Sequence, residues 1–131
     1  MNHVKEIKTE GAPRPIGPYS QATAGGGLLF VSGQIAIDPT TGGLVPGGIR
    51  EQAEMTMKNI AAILAAAGAS LADVIKTDIF MKNLEDFKEM NEIYAARFSD
   101  EPRPARATVE VKGLPNNALL EISCIARLND K

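Results

Sequence analysis

The sequence predicts an α+β domain: a single mixed sheet with two helices on one face. Three observations predict it. Segments of strand and helix character follow one another as strands, helix, strand, helix and two strands. Apolar residues make up 44% and charged residues 23% of the chain, the balance of a soluble globular domain rather than of a coiled coil or a disordered segment. The chain has 131 residues, enough for one hydrophobic core and too few for two, so residues 1–131 form one domain.

The elements follow from local pattern. Glycine and proline cluster at Gly11–Pro18, Gly25–Gly27, Asp38–Gly48 and Gly113–Asn117, and these clusters punctuate the chain. Leu28–Ile35 is short, apolar and preceded by three glycines, the mark of a buried strand. From Arg50 to Ala67, Ala53, Met57, Ile60 and Leu64 recur at spacings of three and four, so they line one helix face, and Gly68 supplies the stop. Val74–Met81 is a strand whose more apolar set is Ile75, Thr77, Ile79 and Met81. Asn83 reads as the cap of a second helix that runs to about Phe98, with Leu84, Phe87, Asn91, Tyr94 and Phe98 as its stripe.

Two alternating strands close the chain. Ala105–Lys112 sets Ala105, Ala107, Val109 and Val111 against Arg106, Thr108, Glu110 and Lys112. Leu119–Leu128 sets Leu120, Ile122, Cys124, Ala126 and Leu128 against Leu119, Glu121, Ser123, Ile125 and Arg127. Residues 113–117 join them as a hairpin or a longer turn. The apolar sets are expected under the helices. Arg106, Thr108, Glu110, Glu121, Ser123 and Arg127 are then expected on the opposite face with Leu119 and Ile125, a half-apolar surface suited to partner subunits.

Scarce residues exclude whole chemistries. Cys124 is the single cysteine, which rules out an intramolecular disulfide and a cysteine zinc site. His3 is the single histidine, three residues from the N-terminus, so histidine metal triads and Ser-His or Cys-His relays have no well-placed imidazole. No metal and no cofactor is expected. The net charge is −2, with no tryptophan, so neither nucleic acid nor an anionic membrane is an expected partner. No apolar run approaches the roughly 20 residues of a membrane helix, and the N-terminal ten residues carry no signal-peptide core. One unpaired thiol points to a reducing, cytoplasmic compartment.

Four features stand out as candidates. Arg106 and Glu121 lie on successive strands and are expected on the same non-helix face. As a pair they are either a solvated cross-strand ion pair or, at a dry interface, a carboxylate clamp beside a proton carrier. Asn91 breaks an apolar stripe; a buried amide ordinarily holds a loop backbone, but this one could also point into a site. Ser32-Gly33 inside a strand marks a bulge or a close approach, and Ser32 has no base to make it a nucleophile. Cys124 shares the parity of the core residues, as an inert buried thiol would.

Five segments, IGPYSQA (16–22), VSGQI (31–35), KTDIFMKNLEDFKEMNEIY (76–94), RPARATVEV (103–111) and LEISCIA (120–126), together resemble the reactive intermediate/imine deaminase family. This is the Rid family, also known as YjgF-type or L-PSP endoribonuclease-type proteins. The resemblance runs from about Gly17 to Arg127. It implies a chorismate mutase-like fold assembled as a homotrimer with clefts between subunits. It also implies hydrolysis of 2-imino acids, in equilibrium with 2-enamino acids, to 2-keto acids and ammonia. Pyridoxal-phosphate dehydratases acting on serine and threonine release such intermediates. The family's catalytic positions fall on Arg106 as carboxylate clamp, Glu121 as water-positioning or proton-shuttling group, and Tyr19. Its substrate-binding positions fall on Gly33, Asn91, Thr108 and Ser32. Many members carry cysteine where this chain has Thr108. The resemblance leaves two other roles open: a trimer that binds small carboxylates as a regulatory module, and a ribonuclease or translation inhibitor, which the charge and the absent catalytic histidine disfavour.

Overall fold

A computed structural model of the chain describes residues 3–129. Six strands form one sheet: β1 (Lys5–Ile7), β2 (Ala22–Gly25), β3 (Leu28–Gln34), β4 (Val74–Met81), β5 (Ala105–Glu110) and β6 (Leu120–Arg127). Their order is β1-β2-β3-β6-β4-β5. All neighbours are antiparallel except β4 and β5, which run parallel. Helix α1 (Ile49–Ala66) links β3 to β4, and α2 (Phe87–Arg97) links β4 to β5. The α+β class with one sheet and two helices is as the sequence predicts.

Helix α1 is made by its apolar face. Ala53, Met57, Ile60 and Leu64 are all buried, joined by Ile49 and Ile63. The Glu51 carboxylate accepts the Gly48 N–H at 2.8 Å and closes the first turn. At the other end Gly68 takes φ +79°, and the Gly68 and Ala69 amides donate to the Ala65 and Leu64 carbonyls. Only glycine enters that left-handed region cheaply, so the helix stops there. The core beneath gathers Leu29, Val31, Ile79, Met81, Leu120, Ile122, Cys124 and Ala126 from the sheet with Met90, Ile93, Tyr94 and Phe98 from the α2 region.

Several expectations are corrected. Strands β1 and β2 have no counterpart in the sequence reading; they are three and four residues long and form the outer edge of the β1-β2-β3 meander. Strands β5 and β6 are not neighbours. β6 is inserted between β3 and β4, and β5 lies beyond β4 at the sheet edge. The connection is therefore the longer turn, through a 3₁₀ turn at Pro115–Asn117, with Asn116 and Asn117 at φ 59° and 57°. Asparagine tolerates this region better than most residues.

The second helix also differs from its stripe. Asn83 caps a 3₁₀ turn, Leu84–Asp86, by accepting the Glu85 N–H, and the α-helix begins at Phe87. Leu84 and Phe87 are exposed, and the buried residues of the helix are Met90, Ile93 and Tyr94. The interior face lies about one residue round from the expected one, which moves Asn91 from the core to its rim.

Strand β5 alternates as expected but with its faces exchanged. Arg106 stands opposite Thr77 of β4, which is fully buried on the helix side. Arg106 and Thr108 are thus on the helix side, while Ala105, Ala107 and Val109 are exposed on the other. Periodicity separates two sets of residues; it does not say which set meets the helices. Leu119 likewise packs against the core rather than standing on the open face. The open face carries Phe30, Phe80, Val109 and Ile125 in addition to Glu121 and Ser123. Among the described residues no helix is long and apolar enough to cross a membrane.

Candidate active site

The candidate residues fall into two groups. The first lies under α2. The Arg106 guanidinium donates from Nη1 to the Asn91 side-chain oxygen at 2.7 Å. Its central carbon lies 4.9 Å from the Tyr94 ring centroid and 5.4 Å from that of Phe87. Both distances fit cation–π attraction. The Tyr94 hydroxyl is in turn hydrogen-bonded to the Thr77 hydroxyl at 2.8 Å, which fixes that ring to β4. Asn91 therefore holds a side chain, not the loop backbone that the ordinary reading of a buried amide expects. Among the described residues no carboxylate lies within ion-pair distance of Arg106, whereas Arg97, Arg103 and Arg127 each have one and Arg50 has two. Thr108 is two residues along the same side of β5, and its hydroxyl oxygen is buried with no partner among the described residues.

The second group lies on the other face. Between Val31 and Gln34 the β3–β6 register shifts, because Val31 pairs with Cys124 and Gln34 with Ile122. Ser32 and Gly33 thus form the bulge expected of that dipeptide. The reason for glycine is specific. A Cβ at Gly33 would collide with Oε2 of Glu121, so a side chain there would evict the carboxylate. Glu121 is half-buried and has no hydrogen bond or ion pair among the described residues; burial raises its carboxyl above the ordinary glutamate range. Ser32 donates its hydroxyl to the Ser20 carbonyl at 2.6 Å, and its N–H reaches the Gln21 carbonyl at 2.9 Å. That ties the bulge to the segment carrying Tyr19. Tyr19 is exposed, accepts the Ile16 N–H at its hydroxyl (3.2 Å), and lines one small recess with Gly33.

The two groups do not meet within one chain. The expectation that Arg106 and Glu121 share a face is overturned by the register. Arg106 pairs with Thr77 and Glu121 with Phe80, on opposite faces and on opposite sides of β4. Two strand spacings and a three-residue offset put their backbones roughly 14 Å apart. Sequence reasoning named both groups but missed Phe87 and Tyr94 as the rings around Arg106. The available signal was their spacing from Asn91, four residues before and three after, which puts all three on one side of a helix. Cys124 is buried, and desolvation pushes its thiol up to about 12, an inert core group as expected. His3 is exposed, ahead of β1.

The chain matches the family described as Endoribonuclease L-PSP over residues 9–128. A RutC family protein of Pyrococcus horikoshii is 54% identical over 120 residues, covering 92% of this chain and 94% of that protein. The chloroplastic Reactive Intermediate Deaminase A of Arabidopsis thaliana is 47% identical over 122 residues, covering 93% of this chain and 65% of that one. Among solved structures, E. coli TdcF with bound serine superposes with a TM-score of 0.89 at 40% identity, covering 95% of this chain and 99% of that one. With nearly its whole length matched, the chain belongs to the Endoribonuclease L-PSP family, the Rid and RutC group of proteins.

Proposed function

We propose that this protein hydrolyses reactive 2-imino acids, 2-iminobutanoate and 2-iminopropanoate, to the 2-keto acids and ammonia, as a homotrimer with its sites between subunits. One observation carries the reading. Arg106 is held by two rings and an amide, and no carboxylate of the described chain neutralises it. Such an arginine suits a bidentate grip on a substrate carboxylate. The Arabidopsis relative is a reactive intermediate deaminase, and TdcF has bound serine, a small amino acid with a carboxylate.

The chemistry asks little more. A protonated imine is already electrophilic. Water adds to its carbon, and loss of ammonium gives the keto acid. Starting from the enamine, a proton must first reach carbon. A carboxyl raised by burial exists in both protonation states closer to neutral pH, so Glu121 can give that proton and then, ionised, orient the water. Tyr19, beside Gly33, borders the same space. Barrier lowering of a few kcal/mol from holding the reactants in place is sufficient.

The same geometry supports an assembly of copies. A three- or four-carbon acid cannot span two groups roughly 14 Å apart on opposite faces. A second copy laid against the open face, with its exposed Phe30 and Val109, would bring one copy's Glu121 to another's Arg106. The single buried thiol suits a reducing compartment such as the cytoplasm.

The test is a coupled assay. A dehydratase generates 2-aminoacrylate, and keto-acid release is followed with and without the protein while light scattering gives its mass. Faster release by a trimer is expected. Keto-acid binding without turnover would favour a regulatory carboxylate binder, and RNA cleavage without imine turnover would favour a ribonuclease.

A further inference from the structure

Helix α1 buries a polar row. Gln52, Thr56 and Asn59 recur at spacings of four and three on its sheet-facing side and are 4%, 0% and 0% exposed. Buried amides are costly unless hydrogen-bonded, so such a row needs a reason. Two of the three use one polar group each at separate places, while Oδ1 of Asn59 has no partner among the described residues. The Asn59 Nδ2 group donates to the Ile35 and Ile37 carbonyls at 3.2 and 2.9 Å. Oε1 of Gln52 accepts the Leu119 N–H at 2.8 Å, while the Leu119 carbonyl accepts the Lys82 N–H. Ile35 lies two residues beyond Gly33, and Leu119 two before Glu121. Both contacts fall just outside β3 and β6, at the ends of the strands that carry Gly33 and Glu121. Between them lies the tight approach of Glu121 to Gly33.

We propose that Gln52 and Asn59 are positioning residues that, from the helix side of the sheet, fix the spacing between the Gly33 bulge and the Glu121 carboxylate. This rests on the reading of Glu121 as the proton-carrying group and adds two residues whose hydrogen bonds go to neither Gly33 nor Glu121. Removing the acceptor at position 52 leaves the partly buried Leu119 N–H unpaired. The start of β6 then shifts to find a partner, Glu121 draws away from the bulge, and water reaches its carboxyl. Within one chain few other charges face it, and the neighbouring copy's Arg106 in the proposed site is unaltered in every variant below. Phe80 stands directly across in the register, and the charged residues on that face of β4, Lys76 and Asp78, pair with one another. Thr56 is an internal control: equally buried, between the two amides, with no partner for its hydroxyl among the described residues.

The experiment is a carbon-13 NMR titration of the Glu121 carboxyl in the full-length protein. In Gln52→Met and in Asn59→Leu its midpoint should fall by about half a pH unit or more toward the ordinary glutamate range, as water replaces cover. Gln52→Glu keeps an acceptor and should hold the wild-type midpoint, as should Thr56→Val. Lower stability in Gln52→Met and Asn59→Leu with the midpoint unmoved would make the amides merely structural and overturn the proposal. If neither variant folds, amide exchange in the wild type decides. The Leu119 N–H should be protected as long as the β6 ladder amides, and fast exchange there would overturn the proposal. Wild-type turnover of 2-aminoacrylate is measured alongside. Its absence would sink the deaminase reading while leaving the titration a valid test of positioning.

Discussion

The arginine half and the glutamate half of the site are built in opposite ways. Arg106 is surrounded: two rings flank its guanidinium and an amide oxygen accepts a hydrogen bond from it. A guanidinium is a cation by its own chemistry, so Arg106 can only bind and orient. Glu121 is bare. It has a glycine beside it, no donor among the described residues, and burial that disfavours its charge. A group left without partners in a half-dry place is one whose protonation can change during a reaction. On the proposed function, the number of partners separates a clamp from a proton carrier more clearly than residue type does.

The glutamate half should break hardest. Glu121→Gln keeps size and hydrogen-bonding capacity but cannot exchange a proton with water. Turnover of 2-aminoacrylate should fall by roughly 10²–10⁴-fold, with keto-acid binding by calorimetry and molecular mass unchanged. Full activity would remove Glu121 from the chemistry, and lost binding with lost assembly would make it structural.

Arg106→Lys comes next. Lysine keeps the charge but loses the planar fork and its stacking, and the loss of one charged hydrogen bond should raise KM by roughly 10–100-fold. An unchanged KM would mean the carboxylate is held elsewhere. Phe87→Ala should do less. Removing one exposed cation–π contact is worth about 0.5–1 kcal/mol, or about two- to fivefold in KM, with kcat nearly constant. A larger fall in kcat than rise in KM would show that the ring acts on something other than Arg106.

The smallest effect sharpens the contrast through pH. Because the folded Glu121 carboxyl is raised, the folded protein binds more protons than the unfolded chain just above the ordinary glutamate range. Stability from this group is therefore present at low pH and declines as pH rises through the raised value. Glu121→Gln removes that decline, so its melting temperature relative to wild type should be higher at pH 7 than at pH 4. An equal difference at both values would mean that Glu121 ionises freely.

Much of this was legible in the sequence, and the failures have identifiable causes. Local signals held: the α1 stripe, the stop at Gly68, the bulge at Ser32-Gly33 and the buried Cys124. Non-local pairing did not. Nothing in 105–128 says that β6 slides between β3 and β4, because strand alternation carries no information about which strand is the neighbour. The inverted faces of β5 have a related cause. Its small aliphatic side is the open one, and alternation alone does not say which side of an edge strand meets the helices. The site residues were named individually through motif resemblance, but their division between two faces was visible only once the register was known.

The central claim is that the two halves meet between copies of the chain. Mixing two inactive variants tests it most directly. Arg106→Ala and Glu121→Gln chains are unfolded, combined in equal amounts and refolded together. If each site takes Arg106 from one subunit and Glu121 from the next, about one quarter of the sites in a randomly mixed ring regain both residues, and about that share of wild-type turnover should return. Each variant refolded alone should stay inactive. A mixture no more active than its parts, with mixed trimers confirmed by mass spectrometry, would contradict the account.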